Sequence, residues 1–139
     1  MVHVSDLLLP AGALLTHELE IRRSRFLALV ARAGSPEEAR EVISARRSAM
    51  PDARHHCAAF IVSTPGALPV SHSSDDGEPS GTAGRPMLDV LAGTGIVDVG
   101  AVVTRYFGGT LLGTGGLVRA YSDAVRECLE DALLVTRER

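Results

Sequence analysis

The segment that decides the fold covers residues 96–134 and reads IVDVGAVVTRYFGGTLLGTGGLVRAYSDAVRECLEDALL. Its first part, residues 96–107, is rich in β-branched and aromatic side chains, which predicts a strand. Residues 117–134 repeat apolar side chains at intervals of three and four, which predicts an amphipathic helix. Between them, residues 108–116 include five glycines and predict a loop. We therefore expect a strand that passes through a glycine-rich loop into a helix.

Outside this segment the sequence alternates between strand and helix patterns. The remaining predicted elements are strands over 14–21, 24–31, 55–63 and 68–72, and helices over 36–49 and from 85 or 86 to 91. The first helix has a marked start, because Ser35 can cap it, Pro36 suits its first position and Glu38 completes a capping box. This order predicts an α+β fold of two layers, with helices on one face of a mostly antiparallel sheet.

Length and composition indicate one domain over residues 1–139, with a flexible arm at 1–12. No apolar run approaches the roughly 20 residues that cross a bilayer. The N-terminal stretch lacks the basic leader of a secretory signal, and the two cysteines are too few for a disulfide scaffold. These features predict a cytoplasmic protein without membrane contact, and a monomer is favoured.

The charge balance limits how the protein can bind anions. All fourteen basic residues are arginines, and the formal net charge is -3. Any contact to phosphate or carboxylate must therefore come from arginine or from backbone N–H groups. The acidic balance argues against binding long nucleic acid through a dominant positive field, although a local basic patch is compatible with it.

The glycine-rich loop is a candidate anion site. A helix that begins there leaves four N–H groups unpaired at the positive end of its dipole, and glycines let an anion approach closely. The alternative, which residue types alone favour, is a tight connection whose glycines allow positive φ and close packing. Arg119 adds an argument, because a cation at this helix end needs a negative neighbour such as Asp123, an acid of the 73–84 loop or a ligand. The candidate anion- or nucleic-acid-binding residues are Arg85, Arg105, Gly108, Gly109, Gly113, Gly115, Gly116 and Arg119.

The second candidate is the acidic loop, residues 74–85, which carries Asp75, Asp76 and Glu78. Three acids so close together could hold a divalent cation or transfer protons, but their spacing is not that of a calcium loop. A loop braced by side-chain bonds to its own backbone and by salt bridges to Arg105 or Arg119 is the favoured interpretation. We therefore expect no metal and no cofactor here. His55 and Cys57 share one side of a predicted strand, but no third group completes a catalytic set, so no catalytic residue is assigned.

Two long motifs resemble the IMPACT/YigZ family. They are SDDGEPSGTAGRPML at 74–88 and VVTRYFGGTLLGTGGLVRAYSDAV at 102–125, within a resemblance over about residues 12–134. The resemblance implies a fold like the second domain of small-subunit ribosomal protein five. It also implies a translation-related partner, either RNA or a ribosome-associated protein. Bacterial members usually carry a further ferredoxin-like domain, which we expect to be absent from these 139 residues.

Three functions are compatible with these residues. The first is a non-catalytic binding or regulatory domain in which arginines and the 108–116 loop contact RNA or a ribosome-associated partner. The second is an enzyme on a small phosphorylated or carboxylated substrate, in which the glycine-rich loop holds the anion and the acidic loop transfers protons or holds a metal. The absence of lysine counts against it. The third is a protein-interaction domain in which the two loops only brace each other. The first is favoured, and catalysis is not.

Overall fold

The computed structural model describes residues 5–138. Its elements are β1 (Ser5–Leu8), β2 (Leu14–Ile21), β3 (Ser24–Arg32), α1 (Pro36–Ala49), β4 (His55–Val62), β5 (Val70–Ser74), α2 (Gly84–Thr94), β6 (Val99–Tyr106), α3 (Gly113–Cys128) and β7 (Val135–Glu138). Strands β2 to β6 form one five-stranded sheet in the order β2-β3-β6-β4-β5, and every neighbouring pair is antiparallel. The predicted α+β class with a mostly antiparallel sheet is confirmed.

The central strand β6 explains why the segment quoted first decides the fold. It pairs with β3 on one side and with β4 on the other, and all but its last residue are buried. A strand buried on both faces needs a near-continuous apolar run, which is the pattern of this segment. Its carboxyl end leads into the glycine-rich loop, so the loop and the start of α3 lie at one end of the sheet.

The helices divide between the two faces of the sheet. Helices α2 and α3 cover one face, where Phe26 meets Tyr121 edge to face at 5.2 Å between ring centroids within the main core. Helix α1 differs from the prediction of helices on one face, because it packs on the opposite face around Phe60. Strand β4 serves both cores, since alternate side chains of a strand point to opposite faces.

Local signals set the start of α1. Ser35 Oγ accepts the N–H of Glu38 at 3.1 Å, as the capping pattern predicts. The Glu38 carboxylate returns to the N–H of Gly34 at 2.7 Å rather than to that of Ser35. The two contacts satisfy backbone donors at the helix start and hold its entry angle.

The two ends of the described chain depart from the sequence prediction. Residues 5–9 do not form part of the predicted flexible arm, because β1 pairs with β7 and Leu8 and Leu9 are buried. Residues 1–4 of that predicted arm lie outside the described residues. The last helix begins at Gly113 and ends at Cys128, earlier at both ends than the predicted 117–134. No helix in the described part of the chain is both long and apolar enough to cross a membrane.

Candidate functional site

A buried ion pair joins the acidic loop to the end of β6. Nη1 of Arg105 donates to Glu78 Oε2 at 2.8 Å and to Oε1 at 3.1 Å. The exposed fraction is 4% for Arg105 and 8% for Glu78. The two segments that the sequence singled out therefore meet. Arg105, however, is not free to bind an anion as predicted, because Glu78 neutralises it inside the protein.

Two further side chains complete what we call the Arg105 cluster, which consists of Ser24, Glu78, Arg105 and Tyr121. Ser24 Oγ accepts from Arg105 Nη2 at 3.2 Å and from the N–H of Gly108 at 3.1 Å. The Tyr121 hydroxyl donates to Glu78 Oε2 at 2.5 Å. A buried ion pair is stable only when its remaining donors and acceptors are satisfied, and these contacts do so. The cluster ties β3, the acidic loop, β6 and α3 together.

His55 extends the cluster toward the surface. Its Nδ1 lies 2.8 Å from the backbone oxygen of Asp76, and its Nε2 lies 3.5 Å from Glu78 Oε1. A carbonyl oxygen can only accept, so Nδ1 carries the proton in the first contact. Both ring nitrogens thus face oxygen atoms of the acidic loop. His55 therefore holds this loop against β4.

The other two acids of the loop hold its backbone. Asp75 accepts the N–H groups of Gly81 at 2.8 Å, Ala83 at 3.1 Å and Gly84 at 2.9 Å. Asp76 accepts the N–H of His56 at 2.7 Å and pairs with Arg47 at 3.2 Å, so it reaches α1 as well as β4. Burial alone would raise the pKa of Asp75, but the three backbone donors outweigh it and hold that pKa below its usual value. Burial would also raise the pKa of Asp76, but the His56 N–H and the Arg47 guanidinium outweigh it, so the pKa of Asp76 is lowered as well.

These shifts predict acid sensitivity of the loop. A folded-state pKa below the unfolded value of about 3.9 means that the unfolded chain binds more protons, so stability falls as pH falls through this region. We expect urea unfolding to show the loss between about pH 5 and pH 3. The Asp75→Asn variant should be less stable than the wild type at neutral pH, and its free energy of unfolding should fall less on acidification. Asp89→Asn, at an exposed carboxylate on α2, should keep the wild-type pH dependence. An Asp75→Asn variant with an unchanged pH slope would contradict the assignment.

The surroundings of the thiol that shares the strand with His55 disfavour a nucleophilic role. Burial raises the pKa of Cys57 to about 12, and its Sγ donates to the backbone oxygen of Asp75 at 3.1 Å. A thiol with this pKa is protonated at neutral pH, whereas the thiolate is the reactive form. Among the described residues, no group of three or more His, Cys, Asp or Glu side chains is arranged to hold a metal ion.

An open cavity of about 310 Å³ lies beside the Arg105 cluster. Its walls come from the acidic loop, the glycine-rich loop, the start of α3 and residues at the end of β6 and the start of β4. The residues that line it are Arg54, His55, Glu78, Pro79, Arg105, Phe107, Leu111, Leu112, Gly113, Thr114 and Leu117. The guanidinium of Arg54 lies 4.8 Å from the ring centroid of Phe107. We call this the α3 cavity.

The remaining predicted arginines lie apart from the Arg105 cluster. Arg85 is exposed on α2, pairs with Asp89 at 2.9 Å and lines a separate groove between α2 and α3. Arg119 is exposed on α3 and forms no ion pair within the described residues. Of the three arginines predicted to bind an anion or nucleic acid, one is therefore buried and two are exposed.

The predicted glycines have different roles. Gly108 packs directly on the backbone of Arg23 and Ser24, leaving no space for a side chain. Gly109 and Gly113 have φ of 88° and 77°, which glycine adopts without strain. Gly115 faces open space, and Gly116 packs near the Leu112 side chain.

Sequence reasoning missed several residues of this site. Ser24 and Tyr121 join the Arg105 cluster, and Arg54 lines the α3 cavity, but none was assigned a role. Tyr121 lies on the apolar stripe of the predicted helix, and this position does not distinguish it from an ordinary core residue. Ser24 contacts Arg105 across 81 positions of the chain. No local pattern carries such a contact.

Comparisons with known proteins agree on one family. The pattern of the Impact N-terminal domain matches residues 22–129. The IMPACT family member YigZ of Escherichia coli K12 is 47% identical over 122 residues, which are 88% of this chain and 59% of that protein. The IMPACT family member YvyE of Bacillus subtilis 168 is 43% identical over 122 residues, 88% of this chain and 55% of that protein. The chain thus spans less than two thirds of these relatives.

Two solved structures are similar to this fold. A crystal structure described as a hypothetical protein has a TM-score of 0.90 and 42% identity, and the match covers 99% of this chain and 65% of that one. The two-domain translational regulator Yih1 has a TM-score of 0.58 and 28% identity, with 87% of this chain and 47% of that chain covered.

Proposed function

The chain belongs to the family of the Impact N-terminal domain, and from this membership we propose that it is a non-catalytic regulatory domain that binds RNA in translation. The similarity to Yih1, which is described as a translational regulator, supports the regulatory part of the proposal. The acids of the 74–84 loop support the non-catalytic part, because donors of the chain itself already engage Asp75, Asp76 and Glu78.

The observation that carries the proposal is the turn between β2 and β3. Ile21 pairs with Ser24, so Arg22 and Arg23 form a two-residue hairpin turn. Both have positive φ, 48° and 69°, in a turn where asparagine followed by glycine is strongly preferred. The left-handed conformation costs roughly 1–2 kcal/mol for each residue other than glycine. Strain of this kind is typical of functional positions, and here it presents two exposed guanidinium groups to solvent.

This turn lies beside the glycine-rich loop and near a third exposed arginine. The backbone of Arg23 packs against Gly108. Arg54 stacks on Phe107, the residue that precedes Gly108. Arg22, Arg23 and Arg54, which we call the arginine rim, form no ion pair with an acid in the described part of the chain. Guanidinium groups without acidic partners suit bidentate contacts to phosphate. A local rim of this kind reconciles RNA binding with an acidic protein.

We expect the protein to bind single-stranded RNA with an affinity that falls as salt rises. Replacing the turn by Arg22→Asn with Arg23→Gly removes two phosphate contacts and should reduce the slope of log K against log salt by about 1.4, since each contact contributes about 0.7. This pair also suits the turn conformation, so the fold should become more stable while RNA binding weakens. Fluorescence anisotropy over a salt series measures the slope.

The matched control is Arg85→Gln, which removes an exposed arginine that already pairs with Asp89 on α2. Its RNA affinity and salt slope should equal those of the wild type. The proposal fails if the wild type does not bind RNA at low salt, or if the turn variant keeps the wild-type slope. A partner protein captured after RNase treatment, with no direct RNA binding, would instead support a protein-interaction domain.

A further inference from the structure

Apart from Arg54, which also belongs to the arginine rim, the α3 cavity has a lining that RNA binding does not explain. Its volume of about 310 Å³ corresponds to roughly ten water molecules, each with a share of about 30 Å³ in the liquid. That is the lower end of the range for small-molecule sites. A ligand of about ten non-hydrogen atoms would fill it.

The floor of the cavity is electrically neutral. Arg105 and Glu78 both line it, but the two charges neutralise each other in an ion pair. Tyr121 and Ser24 take the remaining hydrogen bonds of this pair. Neither charged group of the floor is therefore available to hold a charged ligand.

The wall contributes one cation and several apolar groups. Arg54 is exposed, lies over the ring of Phe107 and has no ion pair among the described residues. Leu111, Leu112 and Leu117 form the apolar part of the lining. Leu111 stands at the edge with 80% of its surface exposed, so a bound apolar group would cover it. The cavity thus offers one unpaired guanidinium beside an apolar wall.

We propose that the α3 cavity binds a small monocarboxylic acid with an apolar body, whose carboxylate pairs with Arg54. One guanidinium presents a planar fork that matches one carboxylate in a bidentate pair. The apolar body lies against the leucines. A dianionic phosphate ester fits less well inside the cavity, because Arg54 is the one arginine of the lining without an acidic partner among the described residues and the second charge would lie near Glu78. The acid is either a free metabolite or the carboxyl-terminal residue of a peptide.

Hexanoate is the first probe, because it has one carboxylate and eight non-hydrogen atoms, close to the about ten that would fill the cavity. Titration into ¹⁵N-labelled protein should give saturable shifts at Arg54, Phe107 and residues 111–117. Hexylamine and hexyl phosphate should bind at least about tenfold more weakly.

For the source of the acid, acetyl-Ala-Leu with a free carboxyl-terminus is compared with its amide. Binding of the free peptide at or above the strength of hexanoate assigns a peptide end, and weaker binding assigns a free acid.

Arg54→Gln should weaken hexanoate binding by about tenfold or more, because it removes a charge-assisted pair. The residue is exposed, so the fold should be retained, and an unchanged melting temperature checks this. Arg85→Gln and the Arg22→Asn/Arg23→Gly turn variant should bind hexanoate as the wild type does. The turn variant therefore separates this inference from the RNA proposal. The inference is overturned if hexanoate gives no saturable shifts up to about 10 mM, if Arg54→Gln binds equally well, or if hexylamine binds as tightly as hexanoate.

Discussion

Replacing Arg105 by alanine is expected to lower the free energy of unfolding by about 3–5 kcal/mol. The substitution leaves the Glu78 carboxylate buried without its partner, and it removes donors to Ser24. Breaking a buried pair costs more than the pair contributes, because the orphaned charge keeps its full desolvation penalty. Urea unfolding followed by circular dichroism measures the loss. Reduced RNA binding in this variant would report unfolding and not a lost contact.

Arg119→Ala is the matched control, since it removes an exposed arginine that has no ion pair within the described residues. It should stay within about 0.5 kcal/mol of the wild type. A second variant, Arg105→Met with Glu78→Leu, removes both charges and should be more stable than Arg105→Ala, because no unpaired charge remains. An Arg105→Ala protein within about 1 kcal/mol of the wild type would show that the pair does not hold the two loops together.

Replacing Gly108 by alanine is the other change expected to have a large effect. An added Cβ would overlap the backbone of Arg23 and Ser24, and backbone atoms on a two-residue turn cannot move aside as a flexible side chain can. The cost should be about 3 kcal/mol, at the upper end for overpacking. The substitution should also disturb the arginine rim, so RNA binding should weaken along with stability. Thermal and urea unfolding measure the first effect, and anisotropy measures the second.

Gly115→Ala tests whether this effect belongs to the position or to glycine loss in general. Gly115 lies in the first turns of α3, faces open space and has no positive φ. Alanine is the better helix former by roughly 1 kcal/mol, so this variant should be as stable as the wild type or more so. An equally harmless Gly108→Ala would contradict the claim that the glycine-rich loop packs too closely on the β2–β3 turn to admit a side chain.

Much of the fold could be predicted because it depends on local signals. Ser35 and Pro36 mark the start of α1, and the apolar run of β6 marks a strand buried on both faces. The pairing of β1 with β7 could not be predicted, since short strands more than a hundred positions apart leave no periodic trace. The early start of α3 was also missed. Three glycines among residues 113–116 indicate a loop by their composition, and the packing of the following apolar face extends the helix through this stretch.

The site could be predicted only in part, for a related reason. The motifs correctly drew attention to the acidic loop and to the end of β6, which the ion pair joins across 27 positions. Whether Arg105 faces solvent or the interior depends on the register of β6 with β3 and β4, and a single sequence does not give that register. In the sequence, Arg22 and Arg23 form only a polar break between the predicted strands 14–21 and 24–31. Only their backbone angles distinguish them.

The pairing of β1 with β7 has a mechanical consequence. Ser5 lies opposite Glu138, so the two extremities of the described chain leave the molecule side by side. Tension applied through both of them would load the four residue pairs of this ribbon one after another, from Ser5–Glu138 to Leu8–Val135. We therefore expect this ribbon to open before the load reaches the Arg105 cluster.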